Sequence, residues 1–288
     1  MLKHSIKVVV VVVAAVTVMT ATAQDLYGAL ARIDETGIIN VGHRESSVPF
    51  AYINDEQQPE GYSIDLCMRV VEAVEARLGK EVEVNFVPVN PQTRIPLIAN
   101  STIDIECGST TNNLTRQQQV DYSHTTFITG TKLLVRADSG IQEVEDLDGK
   151  VVALAQGTTN ERVIKAMIEE MGFDTRVINV SDHAEGFLAL ETDRVDAYST
   201  DHILLYGLIA TARDPEAYDV VGRFLSYDPY ALMVGRDDSE FRLLVNTTLS
   251  ELFRSGEILE IYNTWFDPLG VPPTDLLEAA FAIQALPE

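Results

Sequence analysis

Short apolar runs alternate with segments whose apolar positions recur at three- and four-residue spacing, from Gly37 almost to the C-terminus. The first kind predicts strands and the second amphipathic helices. A strand at Gly37–Gly42 precedes a helix over Ser63–Leu78, with Ile64, Cys67, Val70, Val71, Val74 and Leu78 on one face and Gly79 as its stop. A strand at Val82–Val87, a short helix near Arg94–Asn100 and a strand at Ile103–Cys107 follow, the last with Ile103, Ile105 and Cys107 on its apolar face. Beyond Tyr122 the run FITGTKLLV reads as an extended crossing segment.

A second series then begins. Its strands are Val151–Gln156, Arg176–Val180 and Val195–Ser199, and its helices are Asn160–Met171 (closed by Gly172), one after Asp182 and one after Asp201. Tyr230–Gly235 reads as a further strand, and the last helices carry Phe253, Ile258, Ile261, Tyr262 and Trp265. Such alternation predicts an α/β fold, with parallel sheets covered by helices on both faces. Two series joined by extended crossings predict two lobes with a cleft between them.

The N-terminus reads as an export signal. Lys3, His4 and Lys7 form a basic start, Val8–Val18 an apolar run of 11 residues, and Ala21-Thr22-Ala23 a cleavage site. The run is shorter than the roughly 20 residues that span a bilayer. The expected mature chain starts at Gln24, without a cysteine for a lipid anchor, outside the cytoplasm. Its formal charge changes from -23 to -25 once Lys3 and Lys7 are gone. That balance argues against nucleic acid and anionic membranes as partners. It also makes a cluster of arginines informative, because an anionic ligand must be drawn in against the global field. The two cysteines, Cys67 and Cys107, fit either one disulfide or two separate buried thiols. No CxxC or HExxH is present and the five histidines are scattered, so no metal and no cofactor are expected.

Candidate chemistry concentrates in strand-to-helix turns. In ECGSTTNNLTR, the strand ending at Cys107 opens into Ser109, Thr110, Thr111, Asn112 and Asn113, with Arg116 beyond. Hydroxyls, free N–H groups and a guanidinium together suit a carboxylate, although a plain polar turn has the same composition. Arg44 follows the first strand in GHRESSVPF, and its alternative is a surface pair with Glu45. Arg94 opens a short helix in RIPLI, where the helix dipole disfavours a cation, so a negative partner is implied. QGTTNE places Thr158 and Thr159 at a helix start, a site for an anion or for a simple N-cap. Asp201, also before a helix, is either an N-cap or the anion that meets an ammonium. His183 follows Asp182 in a capping-box-like DHAE, and is either a neutral donor, a cation kept by a bound anion, or an exposed side chain.

GHRESSVPF, RIPLI, ECGSTTNN with Arg116, the GTT turn, DH before a helix and the late aspartate occur in the same order as in periplasmic glutamate/aspartate-binding proteins. The chain resembles that group, solute-binding family 3 of ABC importers, from about Ile33 to Phe266. The resemblance implies a two-lobed type II periplasmic-binding-protein fold: lobe 1 over 32–126 plus 230–288, lobe 2 over 130–226, and hinges near Thr126–Thr129 and Tyr227–Pro229. It further implies a monomer that takes L-glutamate or L-aspartate and delivers it to permease membrane subunits. Arg116, Thr111 and the Thr158-Thr159 turn would then hold the α-carboxylate. Asp201 with Ser109 would meet the α-ammonium, and Arg44, Arg94 and His183 the side-chain carboxylate. Three arginines and Asp201 give a site of +2 for a ligand of -1. Pro91 replaces a serine that the group often has there, which leaves room for glutamine or asparagine. Some relatives are cyclic amino-acid dehydratases, but acid candidates (Glu45, Glu106, His183) are few, and no enzyme activity is expected. A receptor ectodomain is disfavoured by the lack of a second membrane segment.

Overall fold

Two five-stranded sheets organise residues 26–287, the part of the chain that the structure, a computed structural model, describes. The first has the order Glu83–Pro88, Ile38–His43, Ile105–Cys107, Asp228–Gly235, Val120–Thr129. The second has the order Arg176–Val180, Val151–Ala155, Ala197–Asp201, Thr131–Arg136, Tyr218–Val221. The predicted export signal, 1–23, lies outside the described residues. Among the described residues no helix is long and apolar enough to cross a membrane.

The expectation of parallel sheets needs correction, because both are mixed. In each, two neighbouring pairs are parallel and two antiparallel, so four strands run one way and a single strand, Asp228–Gly235 in the first sheet and Thr131–Arg136 in the second, runs against them. The crossings explain this. Val120–Thr129 passes through Gly130 directly into Thr131–Arg136, which pairs antiparallel with Ala197–Asp201. The return strand Asp228–Gly235 pairs antiparallel with Val120–Thr129, Tyr230 facing Phe127. A strand without a crossover helix needs no parallel neighbour.

Helices end at Gly79 and Gly172 as their patterns predict. A helix at Gly28–Thr36, the strand Tyr218–Val221 and a small sheet of Ser46–Ser47, Ala51–Ile53 and Pro59–Glu60 were not foreseen. Ile103 is also not on the face expected of it. It precedes the strand and packs with Val89, Ile98 and Tyr122, whereas Ile105 and Cys107 join the main core.

That main core is aromatic. Phe50 sits with ring centroids 4.9 Å from Phe127, 5.1 Å from Tyr230 and 5.5 Å from Phe266. Ile203 and Leu204, from the helix His202–Thr211 that follows the second sheet's strand, are buried in the same cluster. An apolar seam therefore joins the two halves.

Cys67 and Cys107 are bonded, with Cα atoms 6.2 Å apart and a sequence separation of 40. The bond ties the helix Tyr62–Leu78 to the strand that leads into Gly108–Thr111. In the chain-entropy model a loop of this size is worth about 4 kcal/mol. The double variant Cys67→Ser/Cys107→Ser should lose a few kcal/mol of stability, read as a lower urea midpoint. An unchanged midpoint would show that the bond constrains nothing.

Candidate functional site

Where loops of the two sheets meet, Arg44, Arg94, Ser109, Thr111, Thr158, Thr159, His183 and Asp201 line one cavity of about 210 Å³, together with Asn160, Thr200 and Leu204. Wider grooves lie on the outside. In the one between helices Tyr62–Leu78 and Ser239–Ser255, Arg77 and Arg242 are solvated and already paired with Glu240 and Asp121. The small cavity is the one bounded by buried charge.

Arg44, at 1% exposure, leaves the end of the strand Ile38–His43 and turns inward. It passes Gly108 so closely that a Cβ there would lie 2.9 Å from Arg44 Cγ and 2.3 Å from Glu106 Oε1, so residue 108 must lack a side chain. Arg94, 2% exposed, donates from Nη1 to Thr110 Oγ1 at 2.5 Å and to the Ser109 carbonyl at 3.4 Å. Arg44 Nη2 and Arg94 Nε are buried without any hydrogen-bond partner. No ion pair among the described residues involves Arg44, Arg94 or Arg116, so the surface pairing of Arg44 with Glu45 does not form. Burial, followed by the charge of Arg94, pushes Arg44 down to about 10, which leaves it cationic at neutral pH.

His183 is buried rather than exposed. Burial first, then Arg44 and Arg94, hold its pKa well below the ordinary value, so the ring is neutral. Its Nδ1 lies 2.6 Å from the Tyr198 hydroxyl, which burial keeps protonated. A phenol that donates to Nδ1 leaves Nε2–H as a free donor. Asp182 caps the helix through Glu185 N at 3.1 Å, but Glu185 bonds Ser181 and so does not complete the reciprocal box.

A second group surrounds Asp201. It occupies an N-cap position yet makes no side-chain cap bond. Its carboxylate instead accepts from Asn160 Nδ2 at 3.0 Å and from the Tyr230 hydroxyl at 2.5 Å. Burial, then the nearby Asp228 carboxylate, push it up to about 7. Thr158 does cap its helix, accepting from Glu161 N, so the capping reading holds for that threonine. Thr159 reaches across the cleft, with Oγ1 at 3.2 Å from Thr111 Oγ1. Gly157, at φ +82°, comes so near the Pro91 carbonyl that a Cβ would lie 2.9 Å from it.

Arg116 is buried but does not line the cavity. Its Nη1 donates to the Thr111 carbonyl at 2.8 Å and its Nη2 to the Gly157 carbonyl at 3.0 Å, bracing the two turns that do. Pro91 is not part of the lining either. Asn160, Leu204 and Tyr230 belong to predicted elements without being candidates for the site, and Thr200 lies one residue beyond the predicted strand Val195–Ser199, in the observed strand Ala197–Asp201. Two buried carboxylates, Glu106 and Asp228, also enlarge the charge count. The +2 counted from four groups becomes three charges of each sign.

The comparisons with known proteins give the family. Residues 39–268 match the bacterial extracellular solute-binding proteins, family 3. The chain belongs to that family. Among relatives of this family 3 protein, the L-glutamate/L-aspartate-binding protein of Pseudomonas aeruginosa is 43% identical over 92% of this chain and 88% of its own. The glutamate/aspartate import solute-binding protein of Escherichia coli is 40% identical over 86% of this chain and 82% of its own. Among solved structures, an ancestral arginine-binding protein bound to glutamine matches with a TM-score of 0.72 and 28% identity, over 80% of this chain and 98% of that one. The family 3 chain thus has the two-lobed type II binding-protein fold and is a solute-binding protein, not an enzyme.

Proposed function

We propose that this protein binds L-glutamate or L-aspartate in the interlobe cavity and delivers it to the membrane subunits of an ABC importer, as a periplasmic monomer exported by residues 1–23. Lobe 1 comprises 32–126 and 230–288, lobe 2 comprises 130–226, and the crossings near Thr126–Thr129 and Tyr227–Pro229 act as hinges. One observation carries the choice of ligand. Arg44 Nη2 and Arg94 Nε are buried donors without a partner, on cationic residues that line the cavity. An unpaired buried donor is costly, more so on a charged group, and a side-chain carboxylate with His183 alongside would satisfy both. Asp201 with Ser109 takes the ammonium. Thr111 and the Thr158-Thr159 turn, braced by Arg116, take the α-carboxylate.

The names of the P. aeruginosa and E. coli relatives support the same ligands. Calorimetry with the twenty amino acids, on protein stripped of carried-over ligand, tests the proposal. Glutamate or aspartate should lead, without turnover. A lead by arginine, lysine, an amide or a large apolar amino acid overturns it.

Acid should weaken binding. An ammonium needs the ionised Asp201, which in the empty cavity titrates at about 7. Below that pH the carboxylate must first lose its proton, so the Kd should rise about tenfold between pH 8 and pH 6. A flat profile over that range would remove Asp201 from the ammonium site.

A further inference from the structure

A cavity suited to an anion has a fully buried negative charge beside it that none of the proposed ligand contacts uses. Glu106 is 0% exposed and lies on the central strand of the first sheet, between the core residues Ile105 and Cys107. Its Oε2 accepts from Thr110 Oγ1 at 2.7 Å, and Thr110 Oγ1 itself accepts from Arg94 Nη1 at 2.5 Å. The hydroxyl thus relays Arg94 to Glu106. Glu106 Oε1 has no partner and rests against Gly108, next to the Arg44 stem. Glu106 also helps both Arg44 and Arg116 to keep their protons against burial.

We infer that Glu106 is a specificity-determining residue, a built-in counter-charge that matches the distal end of the cavity to one carboxylate. With His183 neutral, Arg44 and Arg94 supply +2 and Glu106 reduces this to +1, which a single side-chain carboxylate cancels. The backbone at Gly108 and the Thr110 hydroxyl hold Glu106 behind the guanidiniums, so it tempers their field without capping the N–H groups that face the ligand. A buried charge is weakly screened and acts over several ångströms. Glu106 therefore limits how tightly an acidic side chain is held, and acts little on a neutral one. The consequence is an affinity low enough to permit release to an importer.

This inference rests on the ligand proposed above. Its test is calorimetry of wild type and Glu106→Gln with glutamate and with glutamine. The amide keeps an oxygen for the Thr110 hydroxyl and removes only the charge. Glutamate should tighten by about tenfold or more, while glutamine changes by less than about threefold. Equal changes for the two ligands, or a larger loss for glutamate, overturn the inference, because simple structural damage weakens both alike. Glu106→Met, similar in length and neutral, must shift the ratio in the same direction and serves if the amide variant does not fold. A wild type that binds neither acidic amino acid removes the ligand proposal and this one together. Acidic binding with an unchanged ratio removes only the role of Glu106.

Discussion

Arg44→Met should weaken glutamate by about two to three powers of ten and glutamine by less than about tenfold. Removing one partner of a desolvated charge pair costs roughly 2–5 kcal/mol, whereas a neutral hydrogen bond is worth about 1 kcal/mol. The variant keeps Arg94 and Glu106, so the distal end falls from +1 to zero and offers a carboxylate no net attraction. Met fills much of the space of the Arg44 stem, which packs against Gly108, so loss of packing is kept small. Isothermal titration of both ligands on stripped protein reads the difference. Equal losses for the two would mean that Arg44 does not face the distal carboxylate.

Asp201→Asn should have opposite effects on binding and on stability. Binding of amino acids should fall by at least about a hundredfold, because the ammonium loses its counter-ion in a buried site. The stripped protein, in contrast, should melt several degrees higher at pH 8. The folded protein raises this carboxylate to about 7, above its value in an unfolded chain, so the native state binds more protons than the unfolded state between those values. Stability therefore falls as pH rises through that window, and the ionised Asp201 costs a few kcal/mol above it. Asn removes that cost and can still accept from Asn160, while the Tyr230 hydroxyl can reverse and accept from the new amide. At pH 4 the gain should vanish. A variant that melts at or below wild type at pH 8 would contradict the account of Asp201 as a destabilised, ligand-awaiting charge.

Much of this architecture is legible in the chain because its helices and strands are strongly patterned. The helix before Gly172 and the one before Gly79 fall within a residue of their predicted ends. Strand direction was not legible: nothing in the pattern of Val120–Thr129 or Asp228–Gly235 says that the second returns antiparallel beside the first. The small sheet of Ser46–Glu60 has strands of two or three residues, too short for a period to emerge.

In the cavity, eight of the nine candidate side chains line the same space because turns after strands put their polar groups at one edge of each sheet. Arg116 differs for a reason that spacing cannot express, namely that its guanidinium is occupied by two carbonyls, one from each half. Asn160, Tyr230, Asp228 and Glu106 went unrecognised as site residues because each sits inside a regular element, where pattern alone does not say which side chain faces the cleft. Glu106 was considered only as an acid for catalysis, and its pairing with Thr110 depends on a contact four residues away.

Ile203 and Leu204 lie buried among the aromatic residues of the opposite half. If the halves part to admit a ligand, as the proposed hinges would allow, these two side chains become exposed to water. Shutting the molecule is then partly a desolvation event, with a negative heat-capacity change that no polar contact to the ligand would supply. Warming makes such an uptake progressively more exothermic, and chilling weakens the part of the grip that comes from the protein itself.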